Sequence, residues 1–132
     1  MAEYNRETIL AVDDNVTSLT EIRTILEETY DICLAKSAEL ALTILRTIPV
    51  DLILLDMNMP GISGIDFLAL IRKDPSYCHI PVIIVSAHGR RDVIIEAIKM
   101  GANDFVVKPV DRKVLREKIL SVFNGANRAG QI

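Results

Sequence analysis

A chain of 132 residues has the length of one domain, long enough to bury roughly 68% of the surface its unfolded form exposes. A net charge of −3 and a pI near 5.3 give no basic footprint, which argues against direct nucleic-acid binding. Hydrophobic residues make up 50% and the mean hydropathy is +0.30, yet no apolar run approaches the roughly 20 residues that cross a bilayer, and the amino terminus lacks a basic start followed by an apolar stretch.

In chain order, short apolar runs alternate with helical spacing. TILAV (8–12) has strand length and β-branched residues, and it stops at Asp13 and Asp14. Asn15 suits a helix N-cap, with Val16, Leu19, Ile22 and Leu26 as the apolar stripe behind it. YDICLA (30–35) reads as the second strand, and Ser37 caps a helix whose stripe is Leu40, Ala41, Ile44, Leu45 and Ile48. DLILL (51–55) runs straight into Asp56, after which Ser63 caps a shorter helix carrying Phe67, Leu68 and Ile71. PVIIVSA (81–87) holds Ser86 near its end. The fourth helix follows with Ile94, Ala97 and Ile98, closed by Gly101, while Val93 and Ile95 widen its apolar arc beyond what one sheet face needs. DFVVK (104–108) ends on Lys108 before Pro109, and Asp111 caps a last helix with Val114, Leu115, Ile119, Val122 and Phe123. Arg112, Lys113, Arg116 and Lys118 read as its solvated face. Residues 124–132, NGANRAGQI, have no apolar pattern and read as a polar tail or the start of a linker after a domain of residues 1–123.

Five β-α units predict an α/β fold, (βα)5, with an open doubly wound parallel sheet and helices on both faces. Ligands in such sheets bind beyond the carboxyl ends of the strands. Asp13, Asp14, Asp56, Ser86 and Lys108 all fall on that rim. If the acids converge, two carboxylates about 4 Å apart cost on the order of 4 kcal/mol at an effective dielectric near 20. A hard divalent cation such as Mg2+, with a lysine nearby, offsets that repulsion and suits phosphoryl transfer, with Asp56 as nucleophile. Taken singly, each residue also has an ordinary explanation: Asp13 and Asp14 as helix caps, Asp56 as a solvated strand end, Ser86 as a turn serine. Cys33 and Cys78 read as reduced structural thiols, and His79 as structural or exposed.

Together, AVDDN, DLILLDMNMPGISG, PVIIVSA and GANDFVVKP resemble the receiver domain of the response regulators of two-component signalling, over residues 8 to about 123. The resemblance implies the flavodoxin-like strand order 2-1-3-4-5. It makes Asp56 the phosphoacceptor of a reaction dependent on Mg2+, with Mn2+ as an alternative, and Asp13, Asp14, Asp56 and the Asn58 backbone carbonyl the metal ligands. Ser86 and Lys108 would take phosphoryl oxygens. Phe105 stands where the family has a switch aromatic; lacking a hydroxyl, it would act by packing alone. Asn58 and His88 would tune phosphate lifetime, and the Lys108-Pro109 bond is expected to be cis. The implied partners are a sensor histidine kinase or phosphotransfer protein and a downstream protein or output domain docking on the fourth helix, fifth strand and fifth helix, without nucleic acid or membrane. The chain is expected to be a cytoplasmic switch that assists its own phosphorylation and dephosphorylation rather than an enzyme, and a monomer or a phosphorylation-linked homodimer. A dehalogenase-type hydrolase would need a second acid two residues after Asp56, where this chain has Asn58, and a P-loop or dinucleotide enzyme would need a glycine-rich loop after the first strand.

Overall fold

In the computed structural model, which describes residues 6–87 and 91–129, strand and helix alternate as β1 (Thr8–Val12), α1 (Val16–Leu26), β2 (Asp31–Ala35), α2 (Ala38–Thr47), β3 (Leu52–Leu55), α3 (Gly64–Lys73), β4 (Val82–Ser86), α4 (Arg91–Lys99), β5 (Asp104–Val107) and α5 (Arg112–Ala129). The strands form one parallel sheet in the expected order β2-β1-β3-β4-β5. Successive side chains on a strand point to opposite faces, and this divides the core in two. Leu10, Val12, Ile53, Leu55 and Ile84 pack with residues of α2, α3 and α4, among them Leu45, Phe67, Ile71 and Ala97. Ile9, Ala11, Leu54, Ile83, Val85 and Val106 pack with α1 and α5 through Leu19, Ile22, Leu26, Leu115 and Ile119. Strands β3 and β4 are buried on both faces, which is why their sequences run apolar without alternation.

The expected N-caps hold: the side chains of Asn15, Ser37 and Ser63 accept from the N–H groups of Ser18, Leu40 and Asp66 at 3.1, 3.1 and 3.2 Å, and Asp111 from Val114 at 3.0 Å. The helix stripes depart from expectation at their edges. Val16, Leu40 and Val114 are exposed; each lies in the first turn of its helix. In α4 the inward stripe is Val93, Ala97 and Met100, so Ile98 joins Ile95 on the exposed side. The chain also stays helical through Ala129, past the boundary at 123 read from composition, because extending an existing helix costs far less than starting one. Neither Arg116 nor Lys118 is a purely solvated charge: Arg116 donates through Nη2 to the Ile25 carbonyl at 2.9 Å, and Lys118 turns back onto β5.

Arg72, near the end of α3, ties distant loops together. Its guanidinium donates to the Gly101 carbonyl through Nε (3.0 Å) and Nη2 (2.8 Å), and through Nη1 to the carbonyl of Ile80 at 2.7 Å. Nη2 also reaches Asn103 Oδ1 at 3.2 Å, and that same oxygen accepts from Val82 N at 2.9 Å. Gly101 makes room for it: its φ is +111°, and a Cβ there would stand 2.7 Å from Arg72 Nε.

Candidate functional site

Strand register assembles the site. Val12 pairs with Leu55, so the next residues, Asp13 and Asp56, emerge side by side where the two central strands end. The Asp56 N–H donates to the Val12 carbonyl at 2.9 Å, and the Asp13 N–H to Ala35 at 3.0 Å, which anchors both at the sheet rim. On the other side Ser86 pairs with Val107, and the Lys108 N–H donates to the Ser86 carbonyl at 2.8 Å. This rim lies at the β1/β3 switch point, where strand order reverses. The Lys108-Pro109 bond is cis.

Among the described residues, Asp13, Asp14 and Asp56 form the one group of three or more acids, histidines or cysteines close enough to hold a metal ion, each offering a carboxylate oxygen within 4.8 Å of the others. Asp13 and Asp56 are buried and Asp14 is exposed, so the cluster has one open side. Lys108 Nζ lies 2.7 Å from Asp13 Oδ2 and 4.0 Å from Asp56 Oδ2. The lysine therefore serves Asp13 first. Asp13 Oδ1 also accepts from Asn15 N at 2.9 Å, at the amino end of α1, where unpaired N–H groups favour negative charge. Asp56 has less support: its Oδ1 accepts one N–H, from Asn58, at 3.3 Å. Burial, and then the charge of Asp13, push the Asp56 carboxyl from 3.8 up to about 6, against the opposing pull of Lys108 and the Asn58 N–H.

Two of the expected site residues, Asn58 and Phe105, lie outside the acid cluster itself. Asn58 is exposed, with its backbone N–H turned to Asp56. Phe105 lies on β5, half-buried against the α4 side of the core, and helps line a cleft of about 260 Å³ with Arg91, Ile94, Ile95 and Val107. His88 lies outside the described residues. His79 is exposed, and Cys33 and Cys78 are free thiols. Composition and spacing gave no role to Gly64, yet a Cβ on it would come within 2.4 Å of the Asp56 carbonyl oxygen and 2.6 Å of Met57 Cα. Only a glycine lets α3 begin this close to Asp56; the one local clue is a glycine directly after the Ser63 cap.

The family model for the response regulator receiver domain matches residues 9–120. The chain belongs to the response regulator receiver family. Receivers are phosphorylation-regulated signalling switches, not classical enzymes. This receiver is 40% identical over 124 residues to the chemotaxis protein CheY of Pseudomonas aeruginosa, covering 90% of the chain and 98% of that protein. It is 34% identical to the response regulator PleD of Caulobacter vibrioides, covering 86% of the chain but only 25% of PleD. Among solved structures, a CheY-like receiver domain protein of Methanospirillum hungatei superposes with a TM-score of 0.86 at 25% identity, over 95% of this receiver and 99% of that chain. Among the described residues no helix of the receiver is long and apolar enough to cross a membrane.

Proposed function

We propose that Asp56 accepts a phosphoryl group from a histidine kinase, a phosphotransfer protein or a small phosphodonor, and that the modification resets the face of α4, β5 and α5 for a partner. The observation that carries this reading is the meeting of three acids within 4.8 Å, with one ammonium at 2.7 Å from Asp13 and 4.0 Å from Asp56. One cation against three acids leaves excess negative charge; the Asp56 carboxyl is raised first by its burial and then by the charge of Asp13. An all-oxygen donor set with one exposed member fits a hard divalent ion. Asp13, Asp14 and Asp56, with the Asn58 carbonyl, would hold Mg2+ or Mn2+, which supplies positive charge to the carboxylates and to incoming phosphoryl oxygens.

The chain's own residues supply the rest. An ionised carboxylate oxygen of Asp56 attacks phosphorus; the new P–O bond forms as the bond from phosphorus to the leaving group breaks, and the leaving group departs with its electron pair. With a phosphohistidine donor that group is an imidazole nitrogen. The Asn58 N–H orients the attacking carboxylate, and Gly64 allows α3 to pack against its backbone. Phosphorylation replaces one negative charge with roughly two and adds acceptor oxygens. Lys108 then turns from Asp13 toward one of them and the Ser86 hydroxyl toward another, while Phe105 responds by packing alone. Asn58 and His88 tune the lifetime of the phosphoryl group. The downstream partner is a separate cytoplasmic protein or a fused output domain, docking on a face where Ile95, Ile98 and Val107 are already exposed. The receiver acts there as a monomer or as a phosphorylation-linked homodimer.

Incubation with Mg2+ and acetyl phosphate, followed by intact mass, tests the reading. Wild-type protein should gain one phosphoryl group and Asp56→Asn none; equal modification of both would place the acceptor elsewhere.

A further inference from the structure

Lys118 on α5 meets β5 in a way that the phosphoacceptor chemistry does not require. Its Nζ donates to Asp104 Oδ1 at 3.0 Å and to the Phe105 carbonyl at 2.8 Å, and it lies 4.5 Å from the centroid of the Phe105 ring. An ammonium has three donors; two are held by oxygens and the third side is presented to the ring face. The two oxygens belong to the β5 backbone and to Asp104, whose Oδ1 also accepts from Phe105 N at 2.8 Å. The ammonium is thereby fixed relative to the strand, whatever the ring does. Side chains of Lys118 and Asp104 are 30% and 31% exposed, so water only partly screens the contact. The ring also helps line the cleft of about 260 Å³ bordered by Ile94, Ile95 and Val107, which leaves the ring room to move.

We infer that Lys118 is a positioning residue that holds the Phe105 ring in its resting place and thereby sets the threshold for switching. The inference rests on the reading that phosphorylation of Asp56 displaces Phe105. Of the three contacts made by Nζ, the ring contact alone breaks when the side chain rotates; the two hydrogen bonds to oxygen remain. Lys118 therefore acts as a fixed counterweight on one rotamer and not as a general staple of the fold. A partly shielded cation over an aromatic ring biases the resting arrangement about two- to fivefold. Its removal should raise the population of the displaced ring by that factor, and with it the rate of phosphorylation wherever the donor reacts with the displaced arrangement.

The test compares wild type with Lys118→Met, which keeps the stem and removes the charge, and with Lys118→Arg, which keeps the cation. The chain has three phenylalanines, so ring-labelled 13C phenylalanine gives signals from Phe67, Phe105 and Phe123 that are assigned with Phe105→Leu. Relaxation dispersion of the unmodified proteins should show a displaced Phe105 population about two- to fivefold larger in Lys118→Met than in wild type, with Lys118→Arg close to wild type. Phosphorylation by sub-saturating acetyl phosphate should quicken by the same factor in Lys118→Met and recover in Lys118→Arg. Loss of a merely structural contact would not accelerate the reaction. Equal Phe105 dispersion in wild type and Lys118→Met overturns the inference, whatever the rate. A wild type that takes no phosphoryl group defeats the proposed function instead, and the ring dispersion of the unmodified proteins then decides the role of Lys118 alone.

Discussion

At the scale of single residues, the site depends as much on an absent methyl group as on the acids. A Cβ at position 64 would overlap the Asp56 carbonyl oxygen and Met57 Cα, both backbone atoms that cannot swing aside. Gly64→Ala should therefore push the start of α3 away from the end of β3. Overpacking of this kind costs about 1–3 kcal/mol, read by urea denaturation. Because the displaced backbone carries the proposed nucleophile, phosphorylation by acetyl phosphate should also slow by about tenfold to a hundredfold, followed by intact mass over time. A variant that loses stability but phosphorylates at the wild-type rate would show that the strain is absorbed in α3 and does not reach Asp56.

At the scale of elements, the heel of α4 is fixed. Arg72 joins the end of α3 to the carbonyls of Gly101 and Ile80 and to Asn103, so the α4–β5 turn is held from three directions. The helix itself buries fully only Ala97. The proposed resetting of this face would then be a swing of α4 about its carboxyl end, with the Phe105 cleft at the moving end. Arg72→Met keeps the apolar stem but leaves the buried-side carbonyls without donors, and should cost about 2–4 kcal/mol in urea denaturation. Arg72→Lys should recover less than half of this, because a point ammonium cannot span the same set of acceptors. Full recovery by lysine would mean that charge alone, without the planar fork, holds the turn.

At the scale of the whole molecule, an ionised and buried Asp56 weighs against folding. Its carboxyl is pushed up to about 6 in the fold from an ordinary value of 3.8, so the native state binds this proton more tightly than the unfolded chain does. That contribution is favourable at low pH, is lost as pH rises from about 4 to about 6, and is level above. The gap between the two values corresponds to about 3 kcal/mol. Asp56→Asn, which cannot ionise, should match wild type near pH 4 and exceed it by about 1–3 kcal/mol at pH 7.5, with divalent ions chelated throughout. A stability difference that does not change between those pH values would refute the assignment of the raised carboxyl to Asp56.

How far the sequence could be read follows from where each signal resides. β3 and β4 were legible as unbroken apolar runs, and Asp13, Asp56 and Lys108 as polar residues at strand ends, because burial on both faces leaves a local trace. The convergence of these groups was legible only once the strand order was taken from the family likeness, since adjacency of β1 and β3 is written nowhere in either segment. The phase of α4 was not legible: Val93, Ile94, Ile95 and Ile98 offer several apolar stripes, and packing against the sheet selects the one through Ala97 and Met100. Arg72 and Lys118 were also beyond reach, because their partners lie 29 and 13 residues away and long cations on a helix surface look alike whether solvated or engaged. The polar run after residue 123 lacked an apolar pattern, yet helicity there needs only an existing helix to extend.

The pairing of Val12 with Leu55 has a practical consequence. A parallel strand displaced by a single residue turns every one of its side chains over, so a misthreaded central sheet would separate Asp13 from Asp56 while leaving most helices intact. Uptake of the proposed divalent ion, followed by calorimetry, would then certify native threading in a refolded sample that circular dichroism alone would pass.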